Sequence, residues 1–281
     1  MIYTKGKQYI YCVIVLYNEY IWDSKTYRSL KNKASNIILV DNSTNDRYKD
    51  ANIEYSKDNN HKYIDMKGNK GLSKAYNTVI KEYLNKIEGY VVWLDSDTEI
   101  PTDYFSNLLA VVLGKSGADI IVPIIKDTKG NIVSPNSKGI LKNKPIKGYE
   151  ENLVIRDFNA INSCTAVNLR LYEDYLYDER LFLDEVDHKF FDDFRDRRYN
   201  VMNVEVTQNF SQRDEKANLN GAWTRFKLRL ADIIVYYRLR KLGILGLIKC
   251  ILLSFQMVKT YKSLRFLKGI GFAIKSYIQR C

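Results

Sequence analysis

Histidine is scarce: His61 and His188 are the only two in 281 residues. Cysteine is sparse and scattered, at Cys12, Cys164, Cys250 and Cys281, with no C-x-x-C pair and no zinc-ligand spacing. That pattern gives no zinc site and fits a reduced, cytosolic setting. No internal repeat is visible. The apolar stretch near the N-terminus runs into Asn18-Glu19 and lacks the small-residue cleavage site of a signal peptide. Residues 243–258 are strongly apolar, but Lys249 breaks them and the run is shorter than the roughly 20 residues of a spanning helix. Acid is nearly absent from one region. Between Gly221 and Cys281, thirteen Lys and Arg stand against a single acid, Asp232. The formal net charge of +11 is therefore concentrated in the tail, and the rest of the chain is close to neutral.

The first hundred residues carry four punctuated segments. Residues 8–17 (QYIYCVIVLY) are apolar, β-branched and aromatic and stop at Asn18-Glu19. Residues 36–46 (NIILVDNSTND) read as a short buried strand ending in a polar turn. In residues 69–87, Leu72, Ala75, Tyr76, Val79, Ile80, Tyr83, Leu84 and Ile87 recur at helical spacing, which predicts an amphipathic helix. Asn77 falls inside it, where an exposed asparagine is ordinary. Residues 91–97 (VVWLDSD) form an apolar strand that runs into Asp95 and Asp97. Strands alternating with helices predict an α/β fold with a mostly parallel sheet flanked by helices. Ligands of such sheets sit outside the carboxyl ends of the strands. Asn18, Asp41-Asn42 and Asp95-Ser96-Asp97 all fall at such ends. Acids spaced by one can hold a divalent cation against a phosphate. They can equally cap a strand in a solvated turn, and Asp41 in Asp-Asn-Ser-Thr can be a turn-forming residue.

Four segments in order, VIVLYNE (13–19), ILVDNSTND (38–46), NKGLSKAYN (69–77) and VVWLDSDTEIP (91–101), resemble the inverting glycosyltransferases of family two, with the GT-A fold. A later stretch, LFLDEVDHKFFDDFRDRRYNV (181–201), resembles the acceptor-side motif of the family's rhamnosyltransferase-like branch. The resemblance covers roughly residues 8–210. It implies a nucleotide-sugar donor held by Tyr17, Asn18, Glu19, Asp41, Asn69, Gly71, Asp95 and Ser96, with Asp41 bonding a pyrimidine ring. Asn69 and Gly71 also fit a helix start with a local turn. Asp97, with Asp95, would hold magnesium or manganese. Asp187 takes the place of the family's general base, with Asp184 as its rival. Trp93, Ser163, Cys164 and His188 are further candidates for sugar or acceptor contacts. A neutral His188 could also ligate metal or serve structurally.

The acidic stretch around Asp187 also fits the first turn of a helix, with Val186, Phe190 and Phe194 apolar at every fourth position. One departure from the family concerns its metal-site histidine. VEVTQNFSQ (204–212) offers Gln208 and Asn209 there instead, which leaves metal dependence open. The Q-x-x-R-W motif of polymerising relatives is missing, which fits addition of single sugars. The expected donors are dTDP-rhamnose and, second, a UDP-hexose. The expected acceptor is a lipid-linked saccharide of capsule or cell-wall synthesis. A catalytically silent scaffold for a partner transferase is the alternative.

Residues 1–215 are expected to form the catalytic domain, with a donor half to about 100 and an acceptor half beyond. Residues 216–281 are expected to form helices that bind an anionic inner-membrane surface from the cytoplasmic side or pair two copies. The Leu- and Ile-rich tail carries no nucleic-acid motif, so no nucleic-acid partner is expected. Residues 123–148 read as a hairpin and a mobile loop, and residues 159–170 as a strand returning to the site.

Overall fold

In the computed structural model, the described residues are 9–31, 36–84, 88–114, 117–137, 143–148, 150–153, 158–195, 197–208 and 218–279. Ile87, Asn209 and Cys281, named above, lie outside them, as do 138–142 of the expected loop and the domain boundary near 215. The chain divides into two compact units. One comprises Met1–Lys70, Lys74–Tyr177 and Phe190–Asn209; the other comprises Gly71–Ser73, Asp178–Lys189 and Phe210–Cys281. The helical tail thus shares its unit with the acidic stretch before Phe190.

The main sheet of the first unit has nine strands among the described residues: β1 Tyr9–Leu16, β2 Ile37–Asp41, β3 Lys62–Asp65, β4 Gly89–Asp95, β5 Ile120–Lys126, β6 Ile132–Ser134, β7 Glu150–Leu153, β8 Thr165–Asn168 and β9 Tyr199–Thr207. Their order is β3-β2-β1-β4-β8-β5-β9-β7, with β6 on β5. The first four are mutually parallel, and β8 runs antiparallel between β4 and β5. The stretch 123–126 belongs to β5, so the hairpin to β6 begins later than its composition indicates.

The central strands β1, β2, β4 and β5 are apolar at almost every position because both faces are covered. On one face Cys12, Ile14, Leu39, Val92 and Leu94 pack with Tyr27 of α1 (Lys25–Leu30) and Tyr104 and Leu108 of α4 (Tyr104–Leu113). On the other, Trp93 meets Tyr76 of α3 (Leu72–Val79) with ring centroids 4.2 Å apart. The helix α2 (Asp46–Asp58) begins at Asn45, whose side chain accepts from Arg47 N. The expected helix over 69–87 starts at Leu72 and widens into a π turn over Ile80–Leu84. Asn77 is buried rather than exposed. Its side chain bonds both the N–H and the carbonyl of Tyr177, at 2.8 and 2.9 Å, and so replaces a strand partner for that segment.

The second unit is led by α6 (Leu219–Leu239), α7 (Gly243–Tyr261) and α8 (Lys268–Gln279). Phe226, Leu230, Ile233, Ile234, Cys250, Phe266 and Ala273 form its core. The α7 ridge Gly246, Cys250 and Ser254 is small, which lets α6 approach. A Cβ at Gly246 would come 2.6 Å from Tyr237 Cβ. With 19 residues, α7 is long and apolar enough to cross a membrane by length and composition. That corrects the shorter run expected at 243–258: the helix continues to Tyr261, and Lys249 does not interrupt it.

Candidate active site

The four parallel strands end level. Leu16 pairs with Asp41, Asp41 with Asp65, and Val15 with Asp95. One carboxyl edge therefore carries Tyr17, Asn18 and Glu19 after β1, Asn42 to Thr44 after β2, and Ser96 and Asp97 after β4. Tyr17 is exposed, whereas Asn18 and Glu19 are half-buried. Asn18 has φ 50°, a left-handed conformation that asparagine tolerates better than most residues. It ties two loops: its N–H donates to Ser43 Oγ (2.8 Å), and its Oδ1 accepts from Thr44 N (3.0 Å).

Asp41 is wholly buried. Its carboxylate accepts from Ser43 N (2.8 Å), Asn52 Nδ2 (2.7 Å) and Tyr63 OH (2.9 Å). These bonds place one donor on Oδ1 and two on Oδ2, leaving one acceptor position on Oδ1. Asn52 continues the network, donating to Glu19 O (3.0 Å) and accepting from Ile21 N (3.0 Å). Burial and the Asp41 carboxylate push the Tyr63 phenol above its ordinary range. Asn69 is half-buried, and the neighbouring Lys70 N–H donates to Asn42 Oδ1 (3.1 Å).

Asp95 ends β4, and Asp97 lies in the turn that follows. Thr26 binds this turn from below: its hydroxyl reaches the Asp95 and Thr98 carbonyls, and it accepts from Thr98 N (3.0 Å). Gln208 Nε2 donates to Asp95 Oδ2 (2.9 Å). Since a carboxylate only accepts, this bond fixes the amide and turns Gln208 Oε1 away from Asp95. That oxygen is buried without a partner. Glu19 belongs to the same group. Burial raises its carboxyl pKa, a Ser96 hydrogen bond lowers it, and Asp97 and Asp23 raise it further.

Among the described residues, no three His, Cys, Asp or Glu side chains cluster as a metal cage. Asp95 and Asp97 offer hard, oxygen-only donors at this edge. Such a set suits magnesium or manganese that keeps positions for phosphate and water.

Ser163 is buried beside this group, 3.1 Å from Thr98 Oγ1 and 3.5 Å from Asp95 N. Trp93 and Cys164 are wholly buried. Trp93 Nε1 donates to Tyr172 OH (2.8 Å), and Cys164 sits in the core with its thiol pKa pushed up by burial. Neither presents a surface to a sugar, which corrects that expectation for both.

In the second unit, Gly71 has φ +86°, and a Cβ there would lie 2.5 Å from Phe182 O. Only glycine fits. The next residue, Leu72, donates its N–H to that same carbonyl (2.7 Å). The acidic stretch leads into α5 (Val186–Asp193). Asp184 pairs with Arg225. Glu185 pairs with His188 Nδ1 (2.6 Å) and Lys249 Nζ (2.8 Å). Burial alone would raise the Glu185 carboxyl, but His188 and Lys249 outweigh it and hold it far below the usual range. Asp187 is half-buried and accepts from His188 N (2.8 Å). Desolvation, with Glu185 and Asp184 nearby, raises its pKa against the lowering effect of His188.

A mostly parallel sheet with acids at its carboxyl edge, with antiparallel strands β6, β7 and β8 and flanking helices, is the GT-A fold of glycosyltransferases. The chain belongs to glycosyl transferase family 2, whose model matches residues 11–176. It is 28% identical over 182 residues to dTDP-rhamnosyl transferase RfbF of Shigella flexneri, a match covering 63% of this chain and 60% of that relative. The chain thus spans less than two thirds of that relative's length. S. aureus TarS 1-349 in complex with UDP superposes with TM-score 0.55 at 16% identity, over 97% of this chain and 82% of that one. Mannosyltransferase PcManGT from Pyrobaculum calidifontis, in complex with GDP-Man and Mn2+, gives 0.55 at 10% identity, over 98% and 87%. At these identities the two structures share the fold.

Proposed function

We propose that this glycosyltransferase moves one sugar, with inversion, from a pyrimidine nucleotide-diphosphate donor to a lipid-linked saccharide acceptor. The process would be capsule or cell-wall polysaccharide assembly. The carrying observation is the level strand edge that gathers Asn18-Glu19, Asp41 to Thr44 and Asp95 to Asp97 in a family 2 chain. The likeness to a dTDP-rhamnosyl transferase makes dTDP-rhamnose the first donor to test and a UDP-hexose the second. Asp41 shapes the base pocket by fixing Ser43, Asn52 and Tyr63. Asp95 and Ser96 serve the ribose side. Asp97 with Asp95 would hold magnesium or manganese, which when bound neutralises charge on the diphosphate leaving group. Asp187 takes the proton of the attacking acceptor hydroxyl. Asp184 is the weaker choice, because Arg225 already pairs with it.

The test is binding and slow hydrolysis of a nucleotide-sugar panel, with and without manganese, by wild type and Asp97→Ala. Turnover of one donor that needs both metal and Asp97 is the expected result. Failure to bind any pyrimidine nucleotide would overturn the donor reading and favour a silent scaffold.

The tail provides the attachment. Ile244 (70% exposed), Ile248, Leu252 (64%) and Phe255 (55%) line one face of α7, opposite its small-residue ridge. Lys241, Lys259 and Lys262 flank it, and the tail's single acid, Asp232, is buried. An apolar stripe ringed by cations, with no exposed acid among the described tail residues, fits an anionic bilayer lying along the helix. Attachment to the cytoplasmic face of the inner membrane is the localisation this reading proposes. Flotation with anionic vesicles should recover wild type but recover Leu252→Asp/Phe255→Asp at least about tenfold less, and high salt should weaken binding. Equal recovery of both forms, or a salt-resistant dimer that uses the same stripe, would sink the lipid assignment.

A further inference from the structure

We propose that the helical tail positions the acid loop of the transfer reaction, through Asp232, Arg225 and Lys249. The inference rests on Asp187 being the base. Asp232 lies on α6 and is 2% exposed. Its Oδ1 accepts from Phe182 N (2.9 Å), and its Oδ2 from Leu183 N (2.8 Å) and Asp184 N (2.8 Å). Three consecutive amides aimed at one carboxylate fix the direction of the chain there. An amide side chain at 232 would offer one acceptor oxygen and turn N–H donors toward N–H donors.

The tail then takes hold of the next two residues. Arg225, also on α6, pairs with Asp184, and Lys249 on α7 pairs with Glu185. Glu185 has φ 63°, a left-handed conformation that a non-glycine residue keeps only where its surroundings determine it. The Lys249 and His188 pairs supply that determination two residues before Asp187. Among the described residues no Lys or Arg pairs with Asp187. The tail therefore neutralises both neighbouring acids and leaves this carboxylate for chemistry. In a basic tail suited to anionic lipid, a lone buried acid has no use at the membrane. Its three bonds give it one at the loop.

A general base must be held within hydrogen-bond reach of its proton, and a misplacement of about 1 Å can cost about 10²-fold in rate. The experiment measures kcat and donor KM in the full chain for Asp187→Asn, Asp232→Asn, Lys249→Met and Lys249→Arg. Asp232→Asn should lower kcat by about 10²-fold, with donor KM within about twofold of wild type. Lys249→Met should lower kcat by about tenfold, and Lys249→Arg, which keeps the cation, should restore it to within about threefold. A purely structural role would lower the melting temperature without this split or this rescue. If Asp232→Asn does not fold, the Lys249 pair decides, since that side chain is partly exposed. Wild-type kcat in Lys249→Met and in a folded Asp232→Asn, in an enzyme that Asp187→Asn inactivates, would overturn the positioning role alone. Full activity of Asp187→Asn would instead overturn the base assignment, and this inference with it.

Discussion

Asp187→Asn should lower kcat by about 10²–10⁴-fold and leave donor KM nearly unchanged. That range is the usual worth of a positioned general base. The amide keeps the oxygen that accepts from His188 N, so the start of α5 is preserved and the change is confined to proton transfer. The pH profile carries a second mark. A base works only when ionised, so activity rises as pH rises through its pKa. Burial raises the Asp187 carboxyl, which moves that rising limb of kcat above the ordinary aspartate range. Steady-state kinetics across pH check both points. A variant within about threefold of wild type, with the same acid limb, would transfer the role to another residue.

Asp41→Ala should unfold the donor edge rather than merely weaken a base contact. The substitution strands Ser43 N, Asn52 Nδ2 and Tyr63 OH around a wholly buried site. Removing one partner from a buried charged network costs about 3–5 kcal/mol. In a chain of this size that is about 10 °C in melting temperature. Calorimetry of the variant reads it directly. Tyr63→Phe removes one donor only and should cost about 1–2 kcal/mol. A melting temperature for Asp41→Ala within about 2 °C of wild type would mean that the network is not structural and that Asp41 serves the nucleotide directly.

The strand ends were legible because apolar runs of five to eight residues stop at polar clusters, and the sheet then brings those stops to one edge. Asn18, Asp41 and Asp95 are visible that way before any coordinates. The supports behind them are not. Asn52 sits in the middle of α2 and Tyr63 in a short strand, and no local pattern marks either as a partner of Asp41. Gln208 drew notice only as a missing histidine. Asp232 had one signal, its isolation among thirteen cations, but composition alone cannot say which way a side chain turns. Trp93 was misleading for the opposite reason: it stands two residues before Asp95 on the same face of the strand, but Tyr76 of α3 covers that face there and buries it.

The three amides on Asp232 bear on how such a chain can be remodelled by evolution. Tails of this kind look exchangeable, like an address label fitted to a finished catalyst. Here the label carries part of the tool. A recombinant that inherited a foreign tail would need an acid matching the Phe182–Asp184 amides and cations matching Asp184 and Glu185. Lineages that change their anchoring surface should therefore do so on the outer stripe of α7, residue by residue, while the inward side chains of α6 and α7 drift together with the loop they hold.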